Sequence, residues 1–167
     1  MYEINNHDDV RENYEALYAA VRTHLEDETD LTANLANISA FIYHSLDKLN
    51  WAGFYLVKNN ELVLGPFIGK PACTRIALDK GVCGTAATEK RVIVVPDVHQ
   101  FPGHIACDGD TNSEIVLPLY KNGEVFGVLD IDSPTYDRFG GIDEEWLTRI
   151  AKEISGFLDK MQEKSRM

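Results

Sequence analysis

Three cysteines, Cys73, Cys83 and Cys107, carry the most reactive side chains of this chain, and all fall between positions 73 and 132. The same stretch holds His99 and His104 and a run of carboxylates that ends in Leu129-Asp130-Ile131-Asp132. A thiol attacks a soft electrophile as its thiolate, and once oxidised it needs a second thiol to reset it. Carboxyls beside such thiols bind a cation, or donate a proton when one of them is held neutral. The combination points to thiol redox chemistry on a small, partly cationic substrate. The competing reading of each cysteine is a small buried hydrophobe. Cys73, in Gly69-Lys70-Pro71-Ala72-Cys73-Thr74-Arg75, and Cys107, in His104-Ile105-Ala106-Cys107-Asp108-Gly109-Asp110, sit instead in polar, loop-like settings.

The chain has 167 residues, enough for one domain with a sizeable core. Its 44% hydrophobic and 26% charged content is that of an ordinary globular protein. A net charge of -11 argues against nucleic acid and anionic membrane surfaces as partners, since both demand clustered Lys and Arg. The first ten residues are polar and acidic, unlike a signal peptide, and no apolar run approaches the roughly 20 residues of a membrane helix. A cytoplasmic protein is expected, and three cysteines there do not make a permanent disulfide framework.

The elements that must position these groups follow in order. Val10, Tyr14, Leu17, Tyr18, Val21 and Leu25 recur at helical spacing, which predicts a helix over about 8–26. Leu31, Leu35, Ile38, Ile42, Leu46 and Leu49 predict a second helix, with Thr29 or Asp30 as N-cap. Trp51 to Val57 and Glu61 to Phe67 read as a hairpin turning at Asn59-Asn60. Trp51 and Tyr55 project from one face of that strand, either as core filling or as an apolar wall for a substrate. Residues 65–80 carry mixed turn chemistry. Gly81 to Lys90 reads as a short helix with Cys83 near its N-terminus, where the dipole favours a thiolate. Val92 to Val95 is a short strand stopped by Pro96, and residues 97–112 form a long loop of the functional kind, in which neither histidine is assigned a catalytic role.

Ser113 to Tyr120 and Glu124 to Asp132 form the clearest hairpin, closed by Asn122-Gly123 in a type I′ turn. Val128, Asp130 and Asp132 share one face of the second strand, Leu129 and Ile131 the other, and Glu114 can reach the two aspartates. Two acids there need either water at a solvated edge or a bound partner such as an ammonium group. Asp143 is expected to cap a last helix, about 143–162, whose wide apolar stripe runs from Trp146 to Met161, and the tail 162–167 is expected to fray. There is no repeat, linker or low-complexity segment.

Two helices (about 8–49), a sheet and site region (about 50–134) and a closing helix make an α+β domain. A central antiparallel sheet carries the N- and C-terminal helices on one face, and loops and a short helix cover a pocket on the other. That order resembles a GAF domain. Asn50-Trp51-Ala52-Gly53-Phe54-Tyr55, Gly81-Val82-Cys83-Gly84, His104-Ile105-Ala106-Cys107-Asp108, Ser113-Glu114-Ile115 and Leu129-Asp130-Ile131-Asp132-Ser133-Pro134 resemble the free methionine-(R)-sulfoxide reductases. The resemblance spans nearly the whole chain. It implies Cys107 as nucleophile, Cys73 as resolving cysteine and Cys83 as a secondary thiol or a neighbour of the site, in place of the helix-dipole role. It also implies Glu114, Asp130 and Asp132 as acids of the substrate site, with Trp51, Tyr55, Ile105 and Ala106 lining the pocket and no cofactor or metal.

The implied reaction is reduction of free L-methionine (R)-S-oxide through a sulfenic acid and an intramolecular disulfide, recycled by thioredoxin as a defence against oxidative stress. Asp108, Asp110 and Glu114 would raise the Cys107 thiol pKa by like-charge repulsion, so something must offset them. The resemblance, with apolar surface to spare on the first and last helices, implies a homodimer. Two rivals stand beside it. One is a non-catalytic GAF module that binds a small ligand, against which a chain of this length without an output domain counts. The other is a zinc site of Cys73, Cys83, Cys107 and His104, for which the usual CxxC spacing is missing.

Overall fold

The structure is a computed structural model that describes residues 2–4, 6–105 and 107–161. Ala106, expected in the pocket lining, and the tail 162–167 lie outside the described residues.

Two helices open the chain, α1 (Val10–Asp27) and α2 (Leu31–Ser45). Asp9 caps α1 by accepting from the Glu12 N–H, and Asp30, one of the two expected caps, does the same for α2 through Ala33. The second helix stops four residues short of Leu49. Lys48 takes a left-handed conformation (φ 56°) and accepts a hydrogen bond from Ser133 Oγ through its carbonyl, which turns the chain into the sheet.

Six strands follow: β1 (Trp51–Lys58), β2 (Glu61–Gly69), β3 (Arg75–Ala77), β4 (Ile93–Val95), β5 (Ser113–Lys121) and β6 (Glu124–Ser133). They form one antiparallel sheet in the order β3-β2-β1-β6-β5-β4. Both tight hairpins turn on left-handed pairs, Asn59-Asn60 (φ 51° and 62°) and Asn122-Gly123 (φ 52° and 81°), as type I′ chemistry requires. Strand β3 and a 3-10 turn at Val98–Gln100 break up segments that the sequence reads only as turn and loop.

The α3 helix (Gly81–Glu89) lies on one face of the sheet, and α1, α2 and α4 (Gly141–Lys160) lie on the other. Alternation along each strand divides the core accordingly. Ala52, Phe54, Ile115, Leu117, Leu129 and Ile131 face the three long helices, while Trp51, Tyr55, Val116 and Val128 face α3. Along the apolar stripe of α4, Trp146, Leu147, Ile150, Ala151, Ile154 and Leu158 are buried in this core, while Phe157 and Met161 at its C-terminal end are only partly buried.

Asp143 is not the cap of α4. The N-cap is Gly140, and Asp143 sits in the first turn, where its carboxylate accepts from the Gly140 N–H at 2.8 Å. The same buried carboxylate accepts from Tyr14 Oη (2.5 Å) and Arg138 Nη1 (3.2 Å), pinning α4 to α1. No helix among the described residues is long and apolar enough to cross a membrane.

Candidate active site

The register of the sheet assembles the acids. Trp51 on β1, Asp132 on β6 and Glu114 on β5 stand side by side in one row, and Gly53, Asp130 and Val116 occupy the next. Directly opposed residues have Cβ atoms about 4.5–5.5 Å apart, so the three carboxyls share one patch beneath α3. They are not at a solvated edge. Strand β6 is central, and Glu114, Asp130 and Asp132 are only 6%, 5% and 9% exposed.

Among the described residues no ion pair reaches any of the three. Asp130 Oδ1 and Asp132 Oδ1 are buried with no hydrogen-bond partner. Burial raises all three carboxyls well above their ordinary range, and the charge of a neighbour adds to it: Asp130 acting on Glu114, Asp132 on Asp130, Glu114 on Asp132. The patch therefore keeps its protons to higher pH than isolated carboxyls do. It suits an incoming cation or an oxygen that must be protonated.

Cys83 lies in the first turn of α3 with its thiol against Asp130. Its position at a helix N-terminus favours a thiolate, but burial acts the other way and dominates. The charges of Asp130, Glu114 and Asp132 push further in the same direction, and the thiol pKa is well above normal. Burial and the neighbouring acids thus oppose the thiolate that the helix position alone would favour at Cys83.

Cys73 and Cys107 come from two loops, one between β2 and β3 and the other before β5, and are joined in a disulfide with 5.6 Å between Cα atoms. Their loops are tied down by two consecutive residues of the chain. Trp51 Nε1 donates to the Lys70 carbonyl at 3.2 Å, and Asn50 Nδ2 donates to Asp108 Oδ2 at 3.0 Å and to Thr111 Oγ1 at 2.9 Å. Tyr55 Oη, also raised in pKa chiefly by burial, donates to the Cys73 carbonyl at 2.9 Å. Lys70 and Asp110 join the two loops at their exposed rims (2.6 Å). A zinc set of Cys73, Cys83, Cys107 and His104 is incompatible with this form, because the sulfurs of Cys73 and Cys107 are bonded to each other.

A cavity of about 40 Å³ lies between the disulfide and the acids, walled by Trp51, Tyr55, Ile105 and Cys83. Gly81 shapes its rim. With φ at +62° and a notional Cβ only 3.2 Å from the Ile105 side chain, this position accepts glycine and little else. The described residues among the expected site set, Trp51, Tyr55, Cys73, Cys83, Ile105, Cys107, Glu114, Asp130 and Asp132, are thus brought together, and only Cys73 sits behind the wall rather than in it.

Two contributors have no role in the sequence reading. Asn50 and Thr111 brace the Cys107 loop, and Asn50 carried a signal by preceding Trp51 in the aromatic strand motif. His104, weighed in the sequence only as a ligand of the rival zinc set, also lines the cavity, and its pKa is lowered mainly by burial and then by the charge of His99.

A family profile for the GAF domain matches residues 32–159. The chain is 52% identical over 148 residues to the protein YtsP of Bacillus subtilis, covering 87% of this chain and 91% of that one. It is 47% identical over 150 residues to a free methionine-R-sulfoxide reductase of Escherichia coli, covering 90% and 87%. Its fold is similar to that of the free methionine-R-sulfoxide reductase of Neisseria meningitidis in complex with its substrate, with a TM-score of 0.92 at 38% identity over 97% and 98% of the two chains. The chain therefore belongs to the GAF-domain family and, within it, to the free methionine-R-sulfoxide reductases, a family of oxidoreductases.

Proposed function

We propose that this chain reduces free L-methionine (R)-S-oxide to L-methionine with Cys107 as the nucleophile. The observation that carries the reading is the Cys73–Cys107 disulfide closing a cavity floored by three buried carboxyls. The substrate complex of the Neisseria meningitidis relative supports the choice of substrate.

The Cys107 thiolate attacks the sulfoxide sulfur while one of the acids protonates its oxygen. In the adduct the protonated oxygen passes from the substrate sulfur to the Cys107 sulfur as the S–O bond breaks. The transient S–S bond breaks with its electron pair returning to the methionine sulfur, and methionine departs, leaving Cys107 as a sulfenic acid. The Cys73 thiol then displaces that oxygen as water and forms the disulfide. Two thiols of thioredoxin return both cysteines to the reduced state and are themselves oxidised.

Charge and size fit a free amino acid. The unpartnered carboxyl oxygens of Asp130 and Asp132 take its ammonium group, and Trp51 with Tyr55 takes its methyl end. At about 40 Å³ the disulfide-closed cavity admits a few waters and no amino acid, so substrate enters after the two loops are released by reduction. The charge that would oppose a Cys107 thiolate is partly drawn off: Asp108 accepts from Asn50 and from the Asp110 N–H, and Asp110 pairs with Lys70. A GAF module that only binds a ligand would leave this thiol arrangement idle. A homodimer and a cytoplasmic location complete the proposal on the strength of the resemblance.

Incubation with free methionine sulfoxide, thioredoxin and its reductase, with each sulfur epimer followed separately, tests the reading. The R epimer is consumed and the S epimer persists. Consumption of the S epimer, or of neither, contradicts it.

A further inference from the structure

We infer that Cys83, Glu114 and Asp130 form a binding site for a thiophilic divalent cation of the zinc class, on the floor of the cavity and independent of the disulfide pair. One sulfur and two carboxylate oxygens, all from buried residues, lie within 4.8 Å of one another. Zinc–sulfur and zinc–oxygen bonds of about 2.3 Å and 2.0–2.2 Å set ligand spacings of roughly 3.3–3.7 Å in a tetrahedron, so no pair has to close by more than about 1 Å. Side-chain rotation at the end of a helix and on two strands supplies that.

A second feature points to a ligand here. Asp130 Oδ1 is unpartnered in a residue that is 5% exposed, and Asp132 Oδ1 beside it is in the same condition. Buried acceptors of this kind are costly unless something donates to them or coordinates them. The basic side chains at the cavity wall are Lys80 and His104, and among the described residues neither forms an ion pair with the acids.

The donor types select the metal. A thiolate excludes magnesium and calcium as preferred occupants and favours zinc or cobalt(II), while three protein ligands leave a fourth position open towards the cavity. Binding exchanges the thiol proton, and any proton on the two carboxyls, for the dication, with no change of oxidation state. Cys83 is free while Cys73 and Cys107 are bonded, so the site exists in the oxidised chain. The inference goes beyond the reductase reading: it uses carboxyls assigned there to the substrate ammonium, but metal binding needs no turnover.

Cobalt(II) titrated into the full chain with its disulfide intact provides the test, because only Cys83 then offers a thiolate. A sulfur-to-cobalt charge-transfer absorption saturating at one equivalent, and displaced by zinc, is expected. Cys83→Ser abolishes the band. Glu114→Gln and Asp130→Asn weaken cobalt binding by about tenfold or more with the band retained, which keeps the test decisive if the serine variant fails to fold. Cobalt binding without a sulfur band, no binding, or unchanged affinity in both carboxyl variants overturns the inference. None of these outcomes bears on the epimer assay.

Discussion

Asn50 and Asp108, 58 residues apart in the chain, meet at 3.0 Å, the carboxamide Nδ2 donating to the carboxylate Oδ2. The contact fixes the Cys107 loop to the first residue before β1, whose own N–H bonds the carbonyl of Asp132. One residue thus links the thiol loop to the acid row. It also places a donor on the negative charge nearest Cys107 in sequence.

Replacing Asn50 by alanine leaves Asp108 and Thr111 without that donor. Hydrogen bonds to charged groups are worth about 1.5–3 kcal/mol, so the first turnover slows by roughly tenfold or more. The pH curve for alkylation of Cys107 in the reduced protein moves to higher pH, because the Asp108 charge is less offset. Rapid-quench methionine formation and alkylation rates measure the two effects. An unmoved alkylation curve would leave Asn50 a merely structural brace.

Tyr55 belongs to the other loop. Its hydroxyl holds the Cys73 carbonyl at 2.9 Å, so Tyr55→Phe loosens Cys73, the proposed resolving cysteine, and leaves the apolar wall in place. Disulfide formation after the first turnover slows, by about threefold to tenfold for a hydrogen bond of roughly 0.5–1.5 kcal/mol. Methionine release in that first turnover changes little. Stopped-flow detection of each phase separates them, and a slowed first phase with an intact second contradicts this division.

The buried acids make stability depend on pH with a definite sign. Ordinary values are 4.5 for Glu114 and 3.8 for the aspartates, and the folded values all lie well above. Above those ordinary values the folded chain binds more protons than the unfolded one, so stability falls as pH rises through the raised folded values. Asp130→Asn removes part of that slope. Its thermal midpoint rises by a few degrees at neutral and alkaline pH, equivalent to about 1–3 kcal/mol, while its affinity for substrate drops. Equal pH slopes in the two proteins would show that Asp130 is ionised in the fold without cost.

Much of this arrangement is written in local pattern. The alternation of Val128, Leu129, Asp130, Ile131 and Asp132 places the acids on one face, and the two asparagine turns set both hairpins. The burial of the acids was not legible, because it depends on β6 lying between β1 and β5, a non-local pairing. Cys83 shows the same limit. Its helix position is visible in the sequence, but the carboxyls that reverse its acidity come from strands more than 30 residues away. The disulfide partnership came from the resemblance rather than from spacing. Asp143 failed as a predicted cap because its neighbours Tyr14 and Arg138 give it a tertiary role that local capping rules do not describe.

The most direct test of the central claim, that the sulfur of Cys107 takes the oxygen and Cys73 clears it, is methionine formed per chain by reduced protein without thioredoxin. Cys73→Ser should release one methionine per chain and retain Cys107 as a sulfenic acid detectable by mass spectrometry. Cys107→Ser should release none. A full turnover by Cys107→Ser, or none by a folded Cys73→Ser, would contradict the assignment.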